Sequence, residues 1–434
     1  MTSLSLKKGL LLATVAVVAF AAAHKAEAAG FYIQEQSVQG LGSAFSGSTT
    51  NLKDPSTIFF NPAGMTQLQG TQAQAGVNLL IPNSKVKDNG TTAPVGITAG
   101  VGPGSGNPYD PTPVPNGYLS HQISDNLWAG IGVSAPFGLG SDYGETWFGR
   151  FDSTKTELAV IDIQPTVAYK INDWASIGVG VNFQHSDADL RNHVNLVGLG
   201  LGEGTSKLTG KDWGYGYSIG LQFKPWETTT IGLNYKSEVH HNLDGKIQVN
   251  ALATGNPVAA LTSNGKAKLV TPDHATFGIA QQLNDRWTVQ GQATWFGWNN
   301  FDNISAFRDS GALASRVDQN YQTTWAFALG AEYIASEAWT FRAGMQFDQT
   351  PTTDLYRTTR TPDGDRTWVS LGATYSYSPK WDIDMAATYI DVDNGTVNVA
   401  RAPANPATGA GAGQLRAKTE GEVGILALGI TYKF

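Results

Sequence analysis

From Thr71 to the C-terminal Phe434, apolar residues recur at every second position in one segment after another. Trp339, Phe341, Ala343, Met345 and Phe347 share one parity, and Thr340, Arg342, Gln346 and Asp348 share the other. Period two is the pattern of a strand with one apolar and one polar face. The same pattern runs through Ile177, Val179, Val181 and Phe183, through Trp325, Phe327 and Leu329, and through Leu426, Leu428, Ile430, Tyr432 and Phe434. About fourteen such segments follow one another, each near the length that crosses a hydrocarbon layer when tilted.

The connections between these segments alternate in length. Residues 124–126, 172–173, 224–227, 284–286, 335–337 and 378–380 are short turns; 82–115, 137–156, 185–211, 241–266, 299–320, 348–365 and 391–421 are long. A closed outer-membrane barrel has this arrangement, with tight turns on the periplasmic rim and long loops outside. A soluble sandwich would need turns of similar length at both ends, and no fixed repeat supports a solenoid. Mean hydropathy is only -0.20, which a barrel explains because it needs apolar residues at alternate positions alone. The expected fold is all-β: a transmembrane antiparallel β-barrel of about 14 strands over residues 71–434.

Residues 31–65 break the pattern. Phe31, Tyr32, Ile33, Leu41, Phe45, Ile58, Phe59 and Phe60 need cover, while Gly40, Gly42, Gly47, Pro55, Pro62 and Gly64 interrupt any regular element. With both ends of the barrel on the short-turn rim, this stretch can fold into the lumen, so residues 29–70 are expected to form a plug. Ahead of it, Lys7 and Lys8, an apolar run over residues 10–23 and Ala26-Glu27-Ala28 read as a signal peptide, residues 1–28. The absence of cysteine excludes a disulfide scaffold, and the net charge of -7 argues against nucleic acid as a partner.

At these residues the chain resembles the FadL family of outer-membrane long-chain fatty acid and hydrophobic compound transporters. The likeness lies in Ala29-Gly30-Phe31, GLGSAFSG over 40–47, Asn61-Pro62-Ala63, DWGYGYSIGLQF over 212–223, NYKSEVHHNLDG over 234–245 and AWTFRAGMQFDQTP over 338–351. The resemblance implies passive uptake. A hydrophobe is captured among the outer loops, passed to a pocket in the barrel and released sideways into the membrane at an irregular third strand, gated by a hatch. Phe31, Tyr32 and Ile33 would be the moving end of that hatch, and Asn61, Pro62 and Ala63 the turn that anchors it. On the third strand, Gly130, Gly132 and Pro136 would mark the lateral opening, although glycines are also simply common in barrels.

The greasy connections fit such a cargo. Residues 185–211 carry Leu190, Val194, Leu196, Val197, Leu199 and Leu201; residues 241–266 carry Ile247, Val249, Leu252, Val258 and Leu261. They pack on one another or receive an apolar ligand, and both can hold. By resemblance Arg191 would meet a ligand carboxylate, though a salt bridge to Asp187 or Asp189 would serve it equally well. A second cationic position of the family falls here on Gln322, which would shift preference toward uncharged hydrophobes such as aromatic hydrocarbons. His121, His185, His193, His240, His241 and His274 stand in no nucleophile or metal motif, and the calcium-like Asp391-Val392-Asp393-Asn394-Gly395 has Ala402 where a glutamate is needed. The sequence therefore predicts a monomeric channel without cofactor or enzymatic activity, whose partners are a long-chain fatty acid or other hydrophobic molecule and outer-membrane lipid or detergent. A structural, adhesive or porin-like barrel is the alternative.

Overall fold

The computed structural model describes residues 30–51, 53–403 and 409–434; the expected signal peptide lies outside them. Eighteen strands form in chain order: β1 (Thr71–Asp88), β2 (Thr112–Gln122), β3 (Leu127–Asp142), β4 (Lys155–Lys170), β5 (Ala175–Asn195), β6 (Glu203–Trp226), β7 (Thr229–Lys236), β8 (Val239–Ala251), β9 (Ser263–Thr271), β10 (His274–Gln282), β11 (Trp287–Phe296), β12 (Asn303–Arg308), β13 (Leu313–Asp318), β14 (Thr324–Ile334), β15 (Trp339–Asp348), β16 (Arg366–Ser378), β17 (Trp381–Arg401) and β18 (Gly413–Lys433). Fourteen are barrel staves. β7 pairs across to β10 and β11 across to β14, and β1 closes on β18 from Gln72↔Lys433 to Asp88↔Ala417. Away from the β2–β3 edge, where the pairing stops at Gly117↔Val133, neighbouring staves are laddered together, and backbone pairing of this kind is what lets strands cross a bilayer.

The remaining four strands correct the expectation that residues 241–266 and 299–320 are loops. The upper part of β6 leaves the barrel seam to pair with β8, and β9, β12 and β13 extend that sheet. Residues 185–211 are likewise mostly β5 and β6, joined by a short connection at 196–202. The apolar residues of these stretches alternate as strand residues do: Leu243, Ile247, Val249, Ala267 and Leu269 are all buried, and the polar residues between them face out.

Parity sets which face each residue meets. Trp325, Phe327 and Leu329 stand exposed on the outer face of β14, and Thr324, Ala326 and Ala328 are buried inside. Trp287 pairs with Tyr333, Trp339 with Tyr375 and Trp381 with Tyr432 beside the short turns, with ring centroids 4.6, 4.7 and 4.5 Å apart. These cross-strand pairs form an aromatic girdle at that rim.

The lumen is filled by the chain ahead of β1. Leu41, Phe45, Ile58 and Met65 are fully buried there, against Tyr118, Trp368, Ile390 and Ile425 of the wall. Two non-glycine residues with left-handed backbone, Ala44 (φ 50) and Phe45 (φ 60), turn the Phe45 ring toward Phe60 and Trp368. Such a conformation costs on the order of 1 kcal/mol per residue and persists only where packing over-determines it. The Asn61 side chain caps the Ala63 amide at 3.2 Å, with Pro62 opening a short 3-10 turn. Its amide group also donates to the carbonyls of Thr49 (2.8 Å) and Leu221 (3.0 Å), which ties the turn to β6. Close seating depends on inward glycines, Gly344 and Gly220 among them. A Cβ on Gly344 would strike the Ser43 backbone, and one on Gly220 would strike Asn61.

Candidate functional site

Among the described residues the barrel wall is broken between β2 and β3. β2 and β3 pair from Gln122↔Trp128 only as far as Gly117↔Val133, although both strands continue. On its other side β3 pairs with β4, but the register shifts between Ser134 and Phe137, leaving Ala135 and Pro136 as a bulge. Pro136 has no amide to donate. Across the seam, Pro113 and Pro115 remove two donors of one parity from the part of β2 that β3 does not reach.

Residues 31–33 take the place that β2 vacates. Gly138 donates its amide to the Phe31 carbonyl at 2.9 Å, Ile33 donates to the Pro136 carbonyl at 2.8 Å, and Tyr32 faces Phe137 in an antiparallel bridge. The Gln36 side chain completes the patch, accepting from the Ala135 amide (3.0 Å) and donating to its carbonyl (2.8 Å). Gly30 is held as well, by a 2.8 Å bond from its amide to Asp363.

Behind this edge the Phe31 ring packs on Phe137, Trp298 and Phe301, with centroids 5.8, 4.8 and 5.1 Å away. Its remaining face lines a narrow apolar cleft that opens in part to solvent. Leu139, Leu158, Ala188, Leu190, Leu243 and Phe301 are among its apolar lining. A concave, mostly apolar site with a few polar groups is the ordinary form of a small-molecule pocket. One residue, Phe31, thus belongs both to the pocket and to the segment that covers the broken seam.

The sequence-expected ligand residues separate when placed in the structure. Leu190 lines the cleft. Leu196 is buried and Val194 half-buried at the top of the β5–β6 hairpin, while Leu199 is exposed at its tip. Arg191 stands on the outward parity of β5 and forms a two-bonded ion pair with Asp189, at 3.0 and 2.7 Å. Gln322 is exposed, with its backbone amide bonded to the Pro351 carbonyl at 2.9 Å. Neither residue lines the cleft. Gly130 and Gly132 lie within the intact ladder, paired to both β2 and β4; their missing side chains leave room for Ile58 of the plug. Pro136 sits at the bulge itself.

The buried cation at the cleft is Arg360, from the connection between β15 and β16. Its guanidinium donates to the Thr156 hydroxyl (3.2 Å), to the Asn192 side-chain oxygen (3.3 Å) and to the carbonyls of Lys155 (3.4 Å) and Arg191 (3.3 Å). All four are neutral acceptors at long range. Burial pushes its pKa down to about 10, against the pull of Asp152. The sequence offered a signal for it in Arg357 and Arg360, two cations within an otherwise polar connection.

Among the described residues no group of histidine, aspartate and glutamate is placed to hold a metal ion, and no helix is long and apolar enough to cross a membrane.

Comparison with known proteins finds a family model, described as outer membrane protein transport protein (OMPP1/FadL/TodX), matching residues 19–434. A Neisseria meningitidis serogroup B protein that carries an outer-membrane-protein name is 30% identical over 473 residues, covering 100% of both chains. The long-chain fatty acid transport protein of Escherichia coli O6:H1 is 26% identical, covering 84% of this chain and 87% of its own. Among solved structures, a Pseudomonas aeruginosa FadL homologue superposes with a TM-score of 0.85 at 26% identity, over 94% of this chain and 100% of the other.

Proposed function

The chain belongs to the OMPP1/FadL/TodX family of outer membrane transport proteins, and from that premise we propose that it takes up long-chain fatty acids or related hydrophobic molecules by capture, internal binding and sideways release. Its place is the outer membrane, and it is a transporter of hydrophobic compounds rather than an enzyme.

The observation that carries the finer reading is the double duty of residues 31–33. While they bond to Gly138 and Pro136, the seam between β2 and β3 is covered and the Phe31 ring floors the apolar cleft. When they leave, β3 above Val133 loses its neighbour, because Pro113, Pro115 and Pro136 offer no amides with which the seam could zip shut. The cleft and the bilayer then communicate through the wall. Exposed Leu199, Leu201 and Leu252 on the outer hairpins suit first capture. The plug residues after Asn61 stay anchored to β6, so only the leading end needs to move.

The test exploits a chain without cysteine. Tyr32→Cys with Phe137→Cys occupies an antiparallel bridge pair, a spacing that a disulfide spans. Uptake of a labelled fatty acid by cells carrying the double variant should stop on oxidation and return on reduction. Unchanged uptake in the oxidised form would overturn gating by this segment.

A further inference from the structure

We propose that the outward face of the sheet formed by β6, β8 and β9 is a docking surface for the phosphorylated glycolipid of the outer leaflet. A group of lysines holds the phosphates, and the acyl chains lie against the aromatic band beneath.

The position of this surface follows from counting along β6. Its outward residues from the periplasmic side are Phe223, Leu221, Ile219, Tyr217, Tyr215 and Trp213, and Tyr215 is 66% exposed. The ten residues from Phe223 to Trp213, at about 3.3 Å each and a tilt near 40°, rise about 25 Å, the height of an apolar band. The His185 and Trp213 rings, 4.9 Å apart, close that band at the top. The next outward residue is Lys211. It pairs with Asp244 of β8, and Asp244 pairs with Lys266 of β9, so the three stand in one row above the aromatic edge. Lys246 follows two residues higher on β8, and Lys268 lies two residues lower on β9, opposite Asn242. With strands about 4.8 Å apart and alternate residues about 7 Å apart, the four lysines fall in a patch of roughly 10 by 14 Å.

The charges of this patch are uncommitted. Lys211 leans on Asp187 at 2.8 Å and Lys266 on Asp244 at 3.2 Å, with the two lysine side chains 65% and 69% exposed. Exposed pairs of this kind stabilise little and yield readily to a phosphate, which offers more charge and more acceptors. Among the described residues Lys246 and Lys268 form no ion pair, and both are exposed. This excess of positive charge belongs to a chain whose net charge is -7. It is local as well: the outward faces of β14, β15 and β16 carry no charged residue, because Glu332, Arg342, Asp348 and Arg366 of those strands are all buried inside.

What commits the surface to a lipid is the conjunction of cations with an exposed aromatic and aliphatic band directly below them. One molecule with phosphates above and acyl chains beneath satisfies both at once, whereas a soluble polyanion would leave the rings uncovered. Leu243, Ala267 and Leu269 take the opposite parity and line the cleft, so the docked lipid lies on the other side of the sheet from the internal pocket.

The experiment titrates fluorescent diphosphorylated lipid A into full-length protein held in a neutral detergent. Wild-type protein should bind it with an affinity that falls as salt is raised, and should bind the dephosphorylated form far more weakly. Lys246→Gln with Lys268→Gln removes the two lysines that have no partner. Affinity should fall roughly thirtyfold, the attraction expected of two exposed lysines for an anionic lipid surface, and Lys246→Arg with Lys268→Arg should keep it. Lys85→Gln with Lys87→Gln takes the same charge from the outer end of β1 and should change affinity by no more than about twofold. Heat-modifiable migration checks that each barrel is folded; if the Gln pair fails to fold, Lys246→Gln alone carries the test with a loss of about fivefold. Equal losses in the two Gln pairs would reveal a general charge effect and overturn the site. Equal binding of the dephosphorylated lipid would overturn phosphate recognition, and polyphosphate binding as tightly as the lipid would overturn the lipid as occupant.

Discussion

Phe31→Ala tests whether the leading residues are held by packing rather than by the backbone alone. The Phe31 ring is 2% exposed and meets three aromatic rings. Truncating a buried phenylalanine to alanine costs about 3–5 kcal/mol. One face of this ring borders an existing cleft, so the lower end of about 3 kcal/mol is the fitting value. That loss falls on a local equilibrium, because the staves are closed by their own ladders and the plug is separately tied through Asn61. A loss of about 3 kcal/mol raises the open population roughly a hundredfold. Native-state hydrogen exchange reads it directly at two amides. Ile33 and Gly138 lose their bonds when the segment leaves, and both should exchange about a hundredfold faster, while amides of the β14–β15 ladder keep their wild-type rates. If Gly138 exchanges no faster in Phe31→Ala, the ring does not hold the segment and the reasoning fails. If the β14–β15 amides accelerate equally, the substitution has loosened the barrel rather than the gate.

Asn61→Ala removes a cap and two donors to buried carbonyls, a loss on the order of 2–4 kcal/mol. Limited proteolysis should then cut within residues 48–68 while the barrel stays folded, and an equally resistant plug would contradict the anchoring role. Glu203, outside the membrane, sits in a cluster with Arg150 and His193. Its burial works to raise its pKa, yet the bonds from His193 and Arg150 outweigh this and hold it down at about 2. A carboxylate with a depressed folded pKa stabilises fully above its ordinary value near 4.5 and loses that stabilisation as pH falls toward about 2. Exchange protection of residues 143–154, corrected for intrinsic rates, should therefore be flat from pH 7 to 5 and decline below 4.5; a decline already complete at pH 6 would point to another group.

Much of this architecture could be read from period and spacing. The alternation of short and long connections gives fourteen staves and places the start of the plug, because both follow from backbone satisfaction in a bilayer. Connection length conceals the outer strands. β8, β9, β12 and β13 lie inside stretches that look like loops when only distance between staves is considered, although Ile247 and Val249 already alternate there. Parity places Arg191: counting in twos from Val179 through Phe183 reaches it on the outward face, whereas Leu190 falls inside. Arg360 is signalled only as one of two cations in a connection, because the partners that bury it, Thr156 and Asn192, are distant in sequence and meet it only in the fold. The seam is intermediate. Pro136 marks it locally, but Pro113 and Pro115 gain significance only once β2 is known to lie opposite.

β6 is 24 residues long, which at about 3.3 Å per residue and a tilt near 40° makes a wall roughly 60 Å tall. The apolar band it must cross is only about 25 Å. Some 30 Å of β6, with its partners β5 and β8, thus rises clear of the hydrocarbon like a chimney, and Leu190, Leu208 and Leu243 line the flue. On the proposed route, a greasy molecule entering at the top would pass the charged headgroup zone inside the chimney and meet lipid first at the broken seam. On that route the height of the wall would spare the cargo a passage through a polar layer in which it does not dissolve.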